Sequence, residues 1–298
     1  MYKVLKIVFI SDNINNNIKI IFIGEILNMD YIQRIKNSKR IVVKIGTTSL
    51  TYSNGKLNLK RIEKLARVLV DLANQQKEII LVSSGAIAVG AARLGLSERP
   101  RDIKGKQASS AVGQAVLMQI YEKFFMEYNQ KVAQILLTKD VFDYDKKRNN
   151  AKNTLFKLWE LDVIPIVNAN DTIATDELNM EISDNDTLSA YVAVLSKSDL
   201  LIILSDIDGM YDKDPNVNKD ANIIRVVEKI DDSIYSIAGG AGSSLGTGGM
   251  ITKVKAAKTV NDKGIDLIIA SGEEPSILHD IFEGKSVGTL FLSEKRKV

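Results

Sequence analysis

The fold predicted for this chain is an α/β one, an open, mainly parallel sheet sandwiched between helices. Three observations predict it. Short apolar runs alternate with helix-periodic segments from residue 40 onward, the order that builds parallel sheets covered on both faces. Several of these runs stop in small or polar clusters (Gly46-Thr47-Thr48-Ser49, Ser83-Ser84-Gly85-Ala86, Asn168-Ala169-Asn170-Asp171), as at the carboxyl edge of an open sheet, where ligands bind. A stretch with glycine at six of the eleven positions from Gly239 to Gly249 leads straight into another helical pattern.

The composition narrows the function classes. Of 298 residues, 45% are hydrophobic and 26% charged, which is ordinary for a soluble globular protein. That length holds one large or two ordinary domains. The net charge of +3 is too small to argue for nucleic acid. With no cysteine, disulfides, thiol catalysis and cysteine-ligated zinc are excluded. The single histidine, His279, cannot build a multi-histidine metal site. No run of about 18 apolar residues occurs, so no spanning helix is expected.

Residues 1–38 read differently from the rest. Val4 to Ile10 and Ile18 to Ile23 are mostly apolar, but each holds a lysine and Asn15 to Asn17 lie between them. A signal peptide needs one unbroken apolar core and a small-residue cleavage site, and neither is evident. The segment is read as a non-native or mis-assigned extension, with Met29 as a more ordinary start. Residues 39–298 form one continuous domain with N-terminal and C-terminal lobes.

Arg40 to Ile45 is a strand interrupted by Lys44. Burying an ammonium is costly unless it meets an anion, so Lys44 either faces a charged ligand or reaches solvent past the strand end. Asn58 to Gln76 is helical, with Ile62, Leu65, Ala66, Leu69 and Leu72 on one face. Glu78 to Val82 is a second strand, turned by Ser83 to Ala86 into a helix through Leu94. A long helix covers Lys104 to Tyr128, and Lys131 to Leu137 is a third strand. Asn153 to Glu160 is helical, and Val163 to Val167 is a fourth strand. Thr172 to Ile182 reads as a hairpin or excursion. Ser183-Asp184-Asn185-Asp186 then opens a helix through Ser196. Helix capping explains one of these polar residues, not three.

Leu200 to Leu204 is a fifth strand ending at Ser205, Asp206 and Gly209. Ile223 to Val227, Asp266 to Ala270 and Gly288 to Leu292 are further strands. Glycine lets a backbone approach a ligand closely, and a helix N-terminus offers unpaired N–H groups and positive dipole. With Lys253 in the first turn, the glycine stretch and its helix describe a seat for a phosphate chain. A disordered linker would have the same composition. No Gly-x-x-x-x-Gly-Lys-Ser/Thr run is present, so the stretch is not a Walker A loop.

Five motifs in order resemble the amino acid kinase family: Val42-Val43-Lys44-Ile45-Gly46-Thr47, Ser83-Ser84-Gly85-Ala86-Ile87, Asn168-Ala169-Asn170-Asp171, Asp184-Asn185-Asp186, and Gly246-Thr247-Gly248-Gly249-Met250 with Thr252-Lys253. Each alone is weak; their order is specific, and it spans Arg40 to Phe291. Within the family the chain resembles the members acting on L-glutamate. It departs from them at Ala169, where an acidic residue is common, and at Ser205, where threonine is. The excursion between Asp171 and Asp184, linked in the family with proline feedback, is slightly longer. Many bacterial members carry a C-terminal PUA domain, and here the chain stops shortly after Phe291.

The resemblance implies phosphoryl transfer from ATP to the side-chain carboxylate of L-glutamate, the first step of proline biosynthesis, in the cytoplasm. That carboxylate has a pKa of about 4.3 and is ionised near pH 7, so no general base is needed. The difficulty is electrostatic, because an anion must approach a polyanion. By resemblance Lys44 and Lys253 are catalytic, with Asp186 between them orienting both ammonium groups. The implied substrate contacts are Ser84, Gly85, Ala86, Asn168, Asp171, Asp184 and Asn185, with Asp171 pairing the α-ammonium. The implied ATP contacts are Lys44, Ser205, Asp206, Thr247, Gly248, Gly249, Met250, Ile251, Thr252 and Lys253. Mg²⁺ would be held mainly by the nucleotide phosphates, with no metal-ligand set in the protein. A homo-oligomer and channelling to glutamyl phosphate reductase are further expectations; nucleic acid and membrane are not.

Two alternatives stay open at this level. A kinase of the same fold acting on N-acetylglutamate would leave a buried Asp171 without a cation to pair, and aspartate kinases usually read Lys-Phe-Gly-Gly-Thr-Ser where this chain reads Lys-Ile-Gly-Thr-Thr-Ser. A catalytically silent nucleotide-binding regulator would be favoured by loss of Lys44, Lys253 or Asp186, and all three are present.

Overall fold

The computed structural model describes residues 7–11, 18–173, 184–239 and 249–295. Strands β1 (Ile7–Ser11) and β2 (Ile18–Phe22) form a separate antiparallel pair, followed by α1 (Ile23–Lys36). The body begins with β3 (Arg40–Ile45), α2 (Thr47–Leu50), α3 (Leu59–Asn74) and β4 (Glu78–Ser83). Helices α4 (Ala86–Arg93) and α5 (Ile103–Met126) make a hairpin before β5 (Lys131–Leu137). Next come α6 (Asp140–Asp143), α7 (Asp145–Glu160), β6 (Val163–Ala169), α8 (Asn185–Ser196) and β7 (Leu200–Ser205). The chain continues through β8 (Val226–Val227), α9 (Asp232–Ala238), α10 (Met250–Asn261), β9 (Asp266–Ser271), α11 (Ile277–Glu283) and β10 (Thr289–Phe291).

The main sheet has the order β5-β6-β4-β3-β7-β9-β10-β8. From β5 to β9 every pair is parallel; β10 runs antiparallel to β9, and β8 parallel to β10. Strand β3 is central, and the chain builds outward from it first through β4 and later through β7, which opens a crevice at the carboxyl edge. The sheet is an open, mainly parallel one between two helical layers, as predicted.

Burial on both faces explains why the strands read as apolar runs and not as alternating ones. Ile41, Val43 and Ile45 face one layer, with Leu65 and Leu69 of α3 and Tyr121 and Phe125 of α5. Val42 faces the other, with Leu188 and Val192 of α8 and Val254 and Ala257 of α10. Side chains alternate across a strand, so Lys44 shares the face of Val42 and points into the α8–α10 layer.

Three boundaries differ from the sequence reading. Helix α7 starts at Asp145 and not Asn153, because the charged residues Lys146, Lys147 and Arg148 hide its apolar period. The strand expected at Ile223 to Val227 shrinks to Val226–Val227, with Ile223 in an isolated bridge to Tyr211. The extension assigned to residues 1–38 ends earlier than expected. Arg34 Nη2 lies 2.7 Å from Asp266 Oδ1 at the start of β9 and 3.1 Å from the Ser293 carbonyl, and Ile35 joins the core. The end of α1 is therefore part of the folded body. The expected excursion at Thr172 to Ile182 lies largely outside the described residues.

Candidate active site

Lys44 and Lys253 converge on one carboxylate. Lys44 Nζ is 2.6 Å from Asp186 Oδ1, and Lys253 Nζ is 3.0 Å from Asp186 Oδ2. Three elements make this arrangement. Strand β3 aims Lys44 at the α8 layer; α8 carries Asp186 as its second residue; α10 carries Lys253 in its first turns. Asp184 caps α8 by accepting from the Asp186 N–H at 3.2 Å, which fixes how Asp186 enters the site. Thr252 Oγ1 donates to Asp186 Oδ2 at 3.0 Å.

All three charged groups are buried: Lys44 is 7% exposed, Lys253 3% and Asp186 0%. Burial pushes the Asp186 carboxyl up, but the two ammonium groups outweigh it and hold the pKa below the ordinary carboxylate value. The trio thus keeps an excess of positive charge in a dry setting, suited to an anion. Asp184 is shifted the other way, raised by burial and by the neighbouring Asp186 charge. Its Oδ2 is buried with no hydrogen-bond partner among the described residues.

Beside the trio lies a neutral polar cluster. Asn185 Nδ2 donates to Ser84 Oγ at 2.7 Å, to the Ser83 carbonyl at 3.1 Å and to Asn168 Oδ1 at 3.4 Å. Ser84 follows β4, Asn168 lies near the end of β6 and Asn185 opens α8, so the carboxyl edge gathers all three. Gly85 turns the chain into α4 at φ +97°, a left-handed conformation that disfavours any Cβ. The first-turn N–H groups at Ala86 face out from that turn without intrahelical partners. Asp171, half-buried, follows β6; burial raises its pKa and the nearby Arg99 charge opposes the rise.

On the other side, Ser205 at the end of β7 donates to Asp206 Oδ1 at 2.9 Å. Gly249 precedes α10 without a side-chain cap; the Thr252 N–H turns back to the Gly249 carbonyl at 3.2 Å, and the Met250 and Ile251 N–H groups have no partner within the helix. Gly249, Met250, Ile251, Thr252 and Lys253 therefore sit together at the head of α10. Thr247 and Gly248 lie outside the described residues, as does most of the glycine stretch.

Some site neighbours were not legible beforehand. Gln114 of α5 accepts from Asn168 Nδ2 at 3.0 Å, and Tyr121 of α5 shares a 2.9 Å hydrogen bond with Ser83 Oγ. Both belong to a helix to which the sequence reading gave no part in the site. The only hint was the run of small residues from Ala108 to Gly113, a mark of close packing. Arg99, with Arg101 and Lys106, lines an open cavity of about 460 Å³ on the α4–α5 connection. Its closeness to Asp171 has no signature in sequence spacing.

Comparison with known proteins adds a family to this geometry. Residues 39–271 match the model of the amino acid kinase family. The chain is 54% identical over 263 residues to a glutamate 5-kinase of Clostridium perfringens, covering 88% of this chain and 98% of that one. It is 53% identical over 257 residues to a glutamate 5-kinase of Clostridium tetani, covering 86% and 96%. Among solved structures, a carbamate kinase from Giardia lamblia bound to AMP-PNP superposes with a TM-score of 0.59 at 16% identity, over 86% of this chain and 99% of that one. At that identity the likeness concerns the fold.

Proposed function

The chain belongs to the amino acid kinase family, and we propose on that premise that it transfers the γ-phosphoryl group of ATP to the side-chain carboxylate of L-glutamate. The product is L-glutamyl 5-phosphate, and the step opens proline biosynthesis. Close similarity to glutamate 5-kinases along nearly the whole of their length supports the substrate. The observation that carries the chemistry is the buried Lys44–Asp186–Lys253 trio.

The two lysines bracket the transferring group from β3 and from α10. Asp186 keeps both ammonium groups in fixed positions, so their charge is in place before the reaction begins. Ser84, Asn185 and the α4 N–H groups hold the carboxylates of the amino acid, and Asp171 takes its ammonium. Ser205, Asp206 and the head of α10 face the nucleotide.

Among the described residues no three acidic or histidine side chains converge on a metal position. We place Mg²⁺ on the nucleotide phosphates and its own waters, with the buried Asp184 Oδ2, which accepts no hydrogen bond among the described residues, suited to accept from such a water. Bound there, Mg²⁺ would neutralise phosphate charge. No helix among the described residues is long and apolar enough to cross a membrane. A homo-oligomer and delivery of the labile product to glutamyl phosphate reductase complete the proposal.

Hydroxylamine trapping tests the reading. With ATP and Mg²⁺, L-glutamate should yield a hydroxamate while aspartate and N-acetylglutamate yield little. A robust signal from either of those, with none from glutamate, overturns the substrate assignment.

A further inference from the structure

We propose that Gln114, on α5, is a positioning residue that sets the polarity of the substrate cluster and leaves the Ser84 hydroxyl proton free for a substrate carboxylate. The inference rests on the reading of Ser84 and Asn185 as substrate contacts. It follows from groups whose donor or acceptor character is fixed.

The Ala169 N–H can only donate, and it donates to Asn168 at 2.9 Å, so that end of the Asn168 amide is Oδ1. The other end, Nδ2, then faces Gln114 at 3.0 Å, which must present Oε1. Gln114 Nε2 is left to donate, and it meets Gln134 Oε1 at 3.3 Å. On the far side, the Ser83 carbonyl can only accept, which makes the Asn185 atom facing it Nδ2. The same Nδ2 donates to Ser84 Oγ, and it reaches Asn168 Oδ1 at 3.4 Å. Ser84 Oγ is thus an acceptor toward the protein, and no donation by its hydroxyl is present among the described residues. Ser84 is 7% exposed, so water is a poor outlet for that proton. A carboxylate oxygen is the partner it suits, and a hydrogen bond to a charged acceptor is stronger than one to a neutral group.

Gln114 is the hinge of this arrangement because, among the described residues, it is the one side chain that accepts from Asn168 Nδ2. Without its acceptor, Asn168 can turn, and an Nδ2 turned toward Asn185 Nδ2 sets donor against donor. Asn185 would then move off Ser84. The role concerns the amino acid only: among the described residues Gln114 bonds to Asn168 and Gln134, and not to Lys44, Asp186 or Lys253.

The test uses the full chain. Gln114→Lys replaces the acceptor by a donor, and Gln114→Met removes it. We expect Gln114→Lys, and independently Gln114→Met, to raise the KM for glutamate about tenfold, one charged hydrogen bond's worth, with kcat and the KM for ATP within about twofold. An unchanged glutamate KM in both single variants overturns the proposal. So does a parallel loss in kcat, in both KM values and in melting temperature, which is what a packing role alone produces. Hydroxamate formation by the unaltered chain is read alongside. Its absence counts against the glutamate reading itself, whereas its presence with indifferent Gln114 variants counts against the relay.

Discussion

Asp186 stays charged against its own burial because two ammonium groups lie within 3.0 Å of it. Its folded pKa is depressed, so the stability it contributes is present above the unfolded carboxylate value of about 3.9 and is lost as pH falls through the folded value. Asp186→Asn leaves two buried ammonium groups facing each other, and breaking a buried pair typically costs about 3–5 kcal/mol. We expect a large drop in melting temperature at neutral pH that narrows only below the ordinary carboxylate range, measured by thermal scans across pH. Lys253→Met should lower kcat by about 10²–10³, the usual loss for one preorganised charge contact, with a smaller change in the KM for glutamate. Asp171→Asn should reduce kcat/KM for glutamate more than about tenfold and leave nucleotide affinity nearly unchanged. Burial raises the Asp171 pKa and the Arg99 charge limits the rise, so Arg99→Ala should raise it further. The acid limb of kcat/KM for glutamate would then move to higher pH. An unmoved limb would detach Arg99 from the site.

At the scale of elements, the α4–α5 hairpin is locked by two glycines. A Cβ on Gly90 would sit 1.7 Å from the Ser109 carbonyl oxygen, and one on Gly113 would sit 1.8 Å from that of Ala86. Neither neighbour is a side chain able to swing away. The helices therefore touch backbone to backbone, and that contact joins the turn at Ser84 to Ala86 to the helix carrying Gln114 and Tyr121. Overpacking of this kind costs roughly 1–3 kcal/mol or more. Gly113→Ala should lower the melting temperature by several degrees, at about 2–4 °C per kcal/mol for chains near this size. Because Ala86 is displaced directly, its KM for glutamate should also rise more than its KM for ATP. A destabilised enzyme with unaltered glutamate KM would show that the hairpin braces the fold without shaping the site.

At the scale of the whole molecule, the end of α1 pins the far side of the sheet. Arg34 reaches Asp266 on β9 and the carbonyl of Ser293 after β10, while Ser293 N–H donates to the same Asp266 oxygen at 2.9 Å. A chain begun at Met29 keeps this buried pair and should fold and turn over normally. A chain begun at Lys39 loses Arg34 and leaves Asp266 with less compensation, so it should unfold at lower denaturant. Urea titration of the two truncations decides this; equal midpoints would reduce Arg34 to a bystander.

The sequence by itself determined the layered fold, because alternating strand and helix periods in this order admit few other architectures. It also marked Lys44, a lysine inside an apolar strand, and Lys253, in the first turn after a glycine-rich stretch, while the place of Asp186 between them came from the order of motifs that resembles the family. What it left open was set by long-range neighbours. Gln114 looks like any helical glutamine until Asn168, 54 positions away, is laid against it. Arg34 looks like the tail of an extension until Asp266, 232 positions away, meets it inside the core. Local patterns encode period, caps and turns, all of which act over a few residues. Which buried donor meets which acceptor depends on how strands are ordered in the sheet, and that order exists only once the chain has folded.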